Sequence, residues 1–151
     1  MLFRSLAVVA PGCGGGGSAT PPVPTAPSRV LSVAGTYPTR ATLIADRNTC
    51  GSVTVQDNPT TVTHTAAGTD LSMSHAGSTY RGTIDTTGRF TSPAANFAFP
   101  DADYTIGLTG QFSTTGFIAT VELTKRAGGT TCTYAVTWVG TKSGSPNTIP
   151  N

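Results

Sequence analysis

His64 and His75 are the only histidines in the chain, and Asp70, Ser72 and Ser74 lie between them. A serine, a histidine and an aspartate can make an acyl-transfer relay when nucleophile, base and orienting carboxylate converge within hydrogen-bonding reach. Here they share one stretch of alternating apolar and polar residues. Neighbours on an extended strand point to opposite faces, which turns Ser74 away from His75. No Gly-x-Ser-x-Gly elbow stands anywhere in the chain. Hydrolase chemistry, or any other catalysis, is therefore not expected. If Ala67-Gly68 forms a hairpin turn, Val62, His64 and Ala66 share a face with Leu71, Met73 and His75. Direct pairing then sets His64 opposite Leu71 and His75 opposite Thr60. The two imidazoles stand roughly 13 Å apart at strand rise, too far to share a metal ion. They are read first as satisfied or rim-exposed histidines, and otherwise as barrel-lining contacts to a ligand.

Other motifs are weaker. Asp101-Ala102-Asp103 follows Pro100 but lacks the remainder of a calcium loop, so it reads as a turn. Asp57-Asn58-Pro59 is another turn signal. Neither a phosphate-binding loop nor a dinucleotide fingerprint occurs, and no cofactor and no metal are expected. Nine Lys/Arg face seven Asp/Glu, and Lys125-Arg126 is the only adjacent basic pair. Nucleic-acid binders carry a basic stripe, so no nucleic-acid partner is expected.

The three cysteines are Cys13, Cys50 and Cys132. A short apolar run, Leu6-Ala7-Val8-Val9-Ala10, precedes Gly12-Cys13. This pattern resembles the lipobox of bacterial lipoproteins, although Ala10 and Pro11 stand where that family favours an aliphatic residue near the cysteine. The resemblance implies cleavage before Cys13, lipid on Cys13, and a bacterial envelope protein anchored to a membrane. Residues 1–12 are then a partial signal peptide. Residues 1–5 spell the translation of ATG-CTC-TTC-CGA-TCT, the end of a common sequencing adapter, and the nucleotide sequence distinguishes that origin from a genuine weak signal. Residues 13–33, with the Gly14–Gly17 run and Pro21-Pro22-Val23-Pro24, read as a flexible tether stiffening into an extended linker. With Cys13 assigned to lipid, Cys50 and Cys132 remain as a disulfide pair in an oxidising compartment. The two lack the Cys-x-x-Cys spacing of a zinc site.

These residues need a scaffold, and composition points to strands. Charged residues make up 11% of the chain, while Thr, Ser and 18 glycines dominate its polar part. Thr is β-branched and fits a pleated surface. Alternation predicts strands over 35–46, 60–66, 69–75, 79–85, 89–92, 102–112, 116–126 and 130–142, with 52–56 as a further short strand or an extension of the first. Pairing Phe112 with Phe117 puts Gly110 opposite Ala119, Leu108 opposite Val121 and Ile106 opposite Leu123. Ile84 faces Phe90 across a three-residue loop ending in a left-handed Gly88, and Gly116 is expected in a positive-φ conformation as well. Cys50 follows the first strand and Cys132 opens the last. With an even strand count, those positions lie side by side in an up-and-down sheet whose first and last strands meet.

The expected fold is all-β: an antiparallel up-and-down meander of about eight strands over residues 34–142, closed or nearly closed into a barrel with one disulfide. A ninth strand would spoil the disulfide geometry. Residues 143–151 are read as a disordered tail. The domain resembles the calycin-type small barrels, without their Gly-x-Trp signature; the nearest feature is Gly35-Thr36-Tyr37. That resemblance implies a ligand-binding interior. Candidate lining residues are His64, Met73, His75, Tyr80, Tyr104, Tyr134 and Trp138, and Trp138 is read first as a core anchor. The expected role is non-enzymatic: binding a small apolar ligand or an envelope protein. The alternative is an inhibitor that presents a rigid loop, with 57–60 and 92–103 as candidate loops and Phe97 and Phe99 capping the barrel floor.

Overall fold

Strict alternation of small polar and apolar residues leaves each strand one wet face and one dry face, and the sheet curls until the dry faces enclose a common interior. The structure, a computed structural model, describes residues 29–150. Cys13, the signal segment and most of the linker lie outside the described residues. The elements are β1 (Gly35–Ile44), a single 3-10 turn (Ala45–Arg47), β2 (Asn58–His64), β3 (Asp70–His75), β4 (Ser78–Ile84), β5 (Arg89–Phe99), β6 (Ala102–Ser113), β7 (Gly116–Ala127) and β8 (Thr130–Thr141). They form a closed barrel in chain order. β8 returns beside β1 in antiparallel register, from Thr39 opposite Gly140 to Ile44 opposite Ala135. Closure removes the free edges at which an open sheet would aggregate.

The expected registers hold. Phe112 pairs with Phe117, Leu108 with Val121 and Ile106 with Leu123. His64 pairs with Leu71 and His75 with Thr60. Ile84 pairs with Phe90, and Gly88 in the intervening loop has φ of 84°. Gly116 differs from expectation. Its backbone is not left-handed; a Cβ there would come within 2.0 Å of the Gly140 carbonyl oxygen. Close approach of neighbouring backbone, not turn geometry, requires the glycine.

Cys50 and Cys132 are joined, with sulfurs 2.03 Å apart and Cα atoms 5.1 Å apart. The bridge ties the segment after β1 to the start of β8. A backbone hydrogen bond from Thr49 N to the Thr133 carbonyl at 2.8 Å reinforces it. From there residues 51–57 run across the end of the barrel without joining the sheet, so the 52–56 segment is not a strand. The staple diverts the chain over the mouth.

Three further expectations are corrected. Residues 92–103 are not a long loop: β5 continues to Phe99 after a register shift between Ser92 and Ala95. Pro93 sits at that shift, where its missing N–H breaks no ladder. Phe99 consequently lines the open mouth and Phe97 packs on Tyr80, and neither caps the floor. The linker does not run to residue 33, because Leu31 and Val33 are buried in the core. Nor are residues 143–150 of the tail disordered: Ser32 and Thr148 exchange backbone hydrogen bonds, and Asn147 is buried.

These terminal segments close one pole. Ala67, in the β2–β3 turn, donates to the Leu31 carbonyl, and Asn147 N donates to Thr114 in the β6–β7 turn. Above them Tyr37, Phe90, Phe112 and Phe117 pack ring against ring, with centroids 4.9 to 6.2 Å apart. Aromatic burial on this scale dominates the stability of a small core. The half of the barrel below the cavity is thereby filled.

Candidate functional site

At the opposite pole the strands end in the disulfide, the β3–β4 turn and the β5–β6 turn, and the interior is not filled. A cavity of about 410 Å³ opens there. Its size lies within the usual range for small-molecule sites. Interior parity builds its wall. Ile106 on β6, Val121 and Leu123 on β7, and Tyr134, Val136 and Trp138 on β8 face inward at alternate positions. Val55 and Gln56 from the stapled crossing segment and Phe99 from β5 form part of the rim.

Five of the seven candidate lining residues come together here: His75, Tyr80, Tyr104, Tyr134 and Trp138. Met73 is 1% exposed and lies in the packed core below. His64 faces inward near the closed pole, where its Nε2 donates to the Gly68 carbonyl at 2.9 Å. Both are corrected for one reason: interior parity is necessary for lining the cavity, but depth along the strand decides it. Ile106, Val121, Leu123 and Val136 also line the cavity although they are not among the seven candidates; the same hairpin registers put them on that face. The places of Val55 and Phe99 at the rim depend on the staple and on the β5 bulge, which alternation within single strands does not give.

Trp138 is the centre of an aromatic wall. Its ring lies 3.9 Å from that of His75 with planes 28° apart. Tyr80 meets it edge-on at 5.8 Å and also packs on Phe97 at 5.2 Å. The Tyr80–Phe97 contact spans a thin seam, because β4 and β5 share only the pairs Thr83–Thr91 and Ile84–Phe90. Burial pushes the hydroxyls of Tyr80 and Tyr134 above the ordinary phenol range. It pushes the His75 imidazole below its ordinary range. All three are held neutral near physiological pH.

At the rim, Asp101 accepts from Lys125 Nζ at 3.1 Å and from the Tyr104 hydroxyl at 3.2 Å. The Lys125 hydrogen bond is the main reason its carboxyl sits below the usual carboxylate range. Lys125 also stands 5.5 Å over the Tyr104 ring. The rim charges thus cancel locally.

Compared with protein-family models, with curated proteins and with solved structures, the chain matches none. Among the described residues no cluster of three or more His, Cys, Asp or Glu is placed to hold a metal ion. Asp70 is exposed, and Ser74 hydrogen-bonds Thr79 on the outer face at 3.1 Å, so neither approaches His75 as a relay. The arrangement can bury an apolar body against flat rings and offer it a few oriented polar groups.

Proposed function

We propose that this protein is a lipid-anchored binding domain of the bacterial envelope that takes a small, largely apolar molecule into the open pole of its barrel. The observation carrying this reading is the cavity itself: about 410 Å³, walled by Tyr80, Tyr104, Tyr134 and Trp138, above a closed and tightly packed opposite pole. A barrel built only for stability gains by filling both halves, because apolar surface left facing water forfeits about 25 cal/mol per Å². The role is binding and not catalysis. The one imidazole at the cavity is hydrogen-bonded to a buried threonine and to no nucleophile or carboxylate.

Envelope anchoring rests on the resemblance around Gly12-Cys13. The fold is compatible with it in one respect. Residues 29–32 meet the barrel at the closed pole, where Ser32 bonds Thr148. A tether from that side would hold the cavity facing away from the membrane.

The experiment is native mass spectrometry of the full chain purified from a bacterial envelope, followed by titration with apolar aromatic probes read by Trp138 emission. Retention of a small molecule, or saturable change in emission, supports the reading. A chain that carries nothing and binds no probe overturns it. Mass analysis of the mature N-terminal peptide tests the anchor: a diacylglyceryl mass on Cys13 is expected, and an unmodified Cys13 rejects it.

A protein partner is the second reading. Ile118 and Val139 are paired across β7 and β8 on the outer wall, 55% and 47% exposed. Cross-linking in the envelope before and after Ile118→Asp tests that surface, and an unchanged pattern rejects it.

A further inference from the structure

The cavity wall carries one imidazole, His75, and the hydrogen bonds behind it determine where its proton stands. Thr39 is 4% exposed and Thr60 is fully buried. Thr39 Oγ1 lies 2.8 Å from the Tyr37 carbonyl, which can only accept, so the single Thr39 hydroxyl proton is committed there. The same oxygen lies 2.8 Å from Thr60 Oγ1, and the proton in that contact must come from Thr60. Thr60 Oγ1 is in turn 2.9 Å from His75 Nδ1. With its own proton directed at Thr39, Thr60 can only accept, so Nδ1 carries the proton. Any other assignment sets two lone pairs face to face in a buried chain, where an unmade hydrogen bond is costly.

A neutral imidazole carries one N–H, which leaves Nε2 of His75 as an acceptor. It has no hydrogen-bond partner among the described residues, and it is not sealed in. The polar side-chain atom fully enclosed without a partner is Nδ1 of the other histidine, His64. His75 itself is 6% exposed and borders the cavity. Asp101 is the only carboxylate on the cavity wall, and it is already paired with Lys125. The site therefore offers a ligand neither a free cation nor a free anion.

Resting on the reading of the cavity as a ligand site, we propose that it selects neutral molecules combining an apolar body with a hydrogen-bond donor, an alcohol or phenol O–H, and rejects the matching carboxylates. The cause is that His75 offers a lone pair on the cavity wall, where Thr60 and Thr39 hold its proton on the far side of the ring. A hydroxyl points its proton at Nε2. A methyl ether of the same shape fills the space without a proton to give. A carboxylate brings only lone pairs and loses its hydration as well.

Equilibrium dialysis of the full chain against naphthol, its methyl ether and naphthoate tests this. Naphthol should bind about tenfold more tightly than the ether, the worth of one ordinary net hydrogen bond, and naphthoate no better than the ether. His75→Phe should erase the preference for naphthol while ether binding persists. Equal binding of naphthol and ether by the wild type overturns the inference and leaves the ligand-site reading standing. Binding of none of the three removes both. A measurement on the unaltered protein guards against a variant that fails to fold. Imidazole ¹⁵N shifts should show His75 protonated on Nδ1, and a proton on Nε2 overturns the inference.

Discussion

The hydroxyl of Tyr37 stands 2.7 Å from Oδ1 of Asn147, joining the first strand to a residue six positions beyond the last one. The same hydroxyl lies 2.5 Å from the Val33 carbonyl, so its single proton is shared between two acceptors. The Asn147 amide donates to the Ser113 carbonyl at 2.8 Å. One buried tyrosine thus latches the segment before β1 and the segment after β8 over the closed pole. Asn147→Ala should leave Ser113 without its partner and loosen the C-terminal segment. A loss of about 1–3 kcal/mol is expected, the cost of an abandoned buried polar group. Urea unfolding midpoints measure it, and a change below about 0.5 kcal/mol, typical of a neutral surface site, would mean the latch is not formed.

Burial raises Tyr37 to about 12, against the lowering influence of its Asn147 hydrogen bond. The unfolded chain ionises this phenol near 10. A raised folded value means the native state holds its proton while the unfolded state releases it. The stability contribution is complete below pH 10 and is lost as pH rises from 10 towards about 12. The loss should reach on the order of 2–3 kcal/mol. Lys142, whose Nζ lies 4.8 Å over the Tyr37 ring, is lowered by burial, so its own linkage runs the other way and favours the native state as pH rises. Unfolding midpoints of the wild type and Tyr37→Phe across this range check it. Only the wild type should show the extra alkaline slope.

Much of this architecture was readable from spacing. The Phe112–Phe117 and Ile84–Phe90 registers followed from parity and turn residues, and the even strand count made Cys50 and Cys132 neighbours. Those are local rules acting on consecutive strands. What escaped were features governed by distant partners. The segments around Leu31 and Asn147 looked like linker and tail because each is short and polar-flanked. Their order comes from contact with one another and with Tyr37. His64 and His75 read alike in sequence, yet one lies near the packed pole and the other on the cavity. Depth depends on which half of the barrel the aromatic cluster fills, and alternation carries no information about that.

The Cys50–Cys132 bridge closes a sequence separation of 82 residues. In the chain-entropy description such a loop constrains the unfolded state by about 4–5 kcal/mol. Reduction should lower the urea midpoint accordingly. It should also release residues 51–57, which make no backbone hydrogen bonds to the sheet. Hydrogen exchange at the Thr49 and Thr133 amides, which donate to the Thr133 carbonyl and the Thr49 hydroxyl beside the bridge, should accelerate more than at Val121 or Val136. Equal acceleration everywhere would indicate global unfolding and not a freed crossing segment.

Gly116 and Gly140 approach each other where β7 meets β8. A Cβ on Gly116 would lie 2.0 Å from the Gly140 carbonyl oxygen, and one on Gly140 would lie 2.2 Å from the Phe117 ring. Gly116→Ala must therefore move backbone and not a flexible side chain. A loss of about 1–3 kcal/mol is expected, in the range of overpacked cores, with the barrel retained. Circular dichroism and thermal unfolding together distinguish this outcome from simple failure to fold.

His75 supplies the last prediction through its stack on Trp138 at 3.9 Å. Burial holds its imidazole below the ordinary value of 6.5. A lowered folded value means that, as pH falls through 6.5, the unfolded chain gains a proton that the native state refuses. The contribution is complete above that pH, declines as pH falls towards the folded value, and then levels off. His75→Phe keeps a ring against Trp138 and removes the titration. Between about pH 8 and about pH 5, unfolding midpoints of the wild type should fall relative to those of the variant. Asp85 and Asp101 have lowered values and titrate at more acidic pH in both proteins. They therefore cancel in the difference. Parallel pH profiles would show that His75 is protonated in the folded barrel and that its environment is wetter than the buried contact with Trp138 requires.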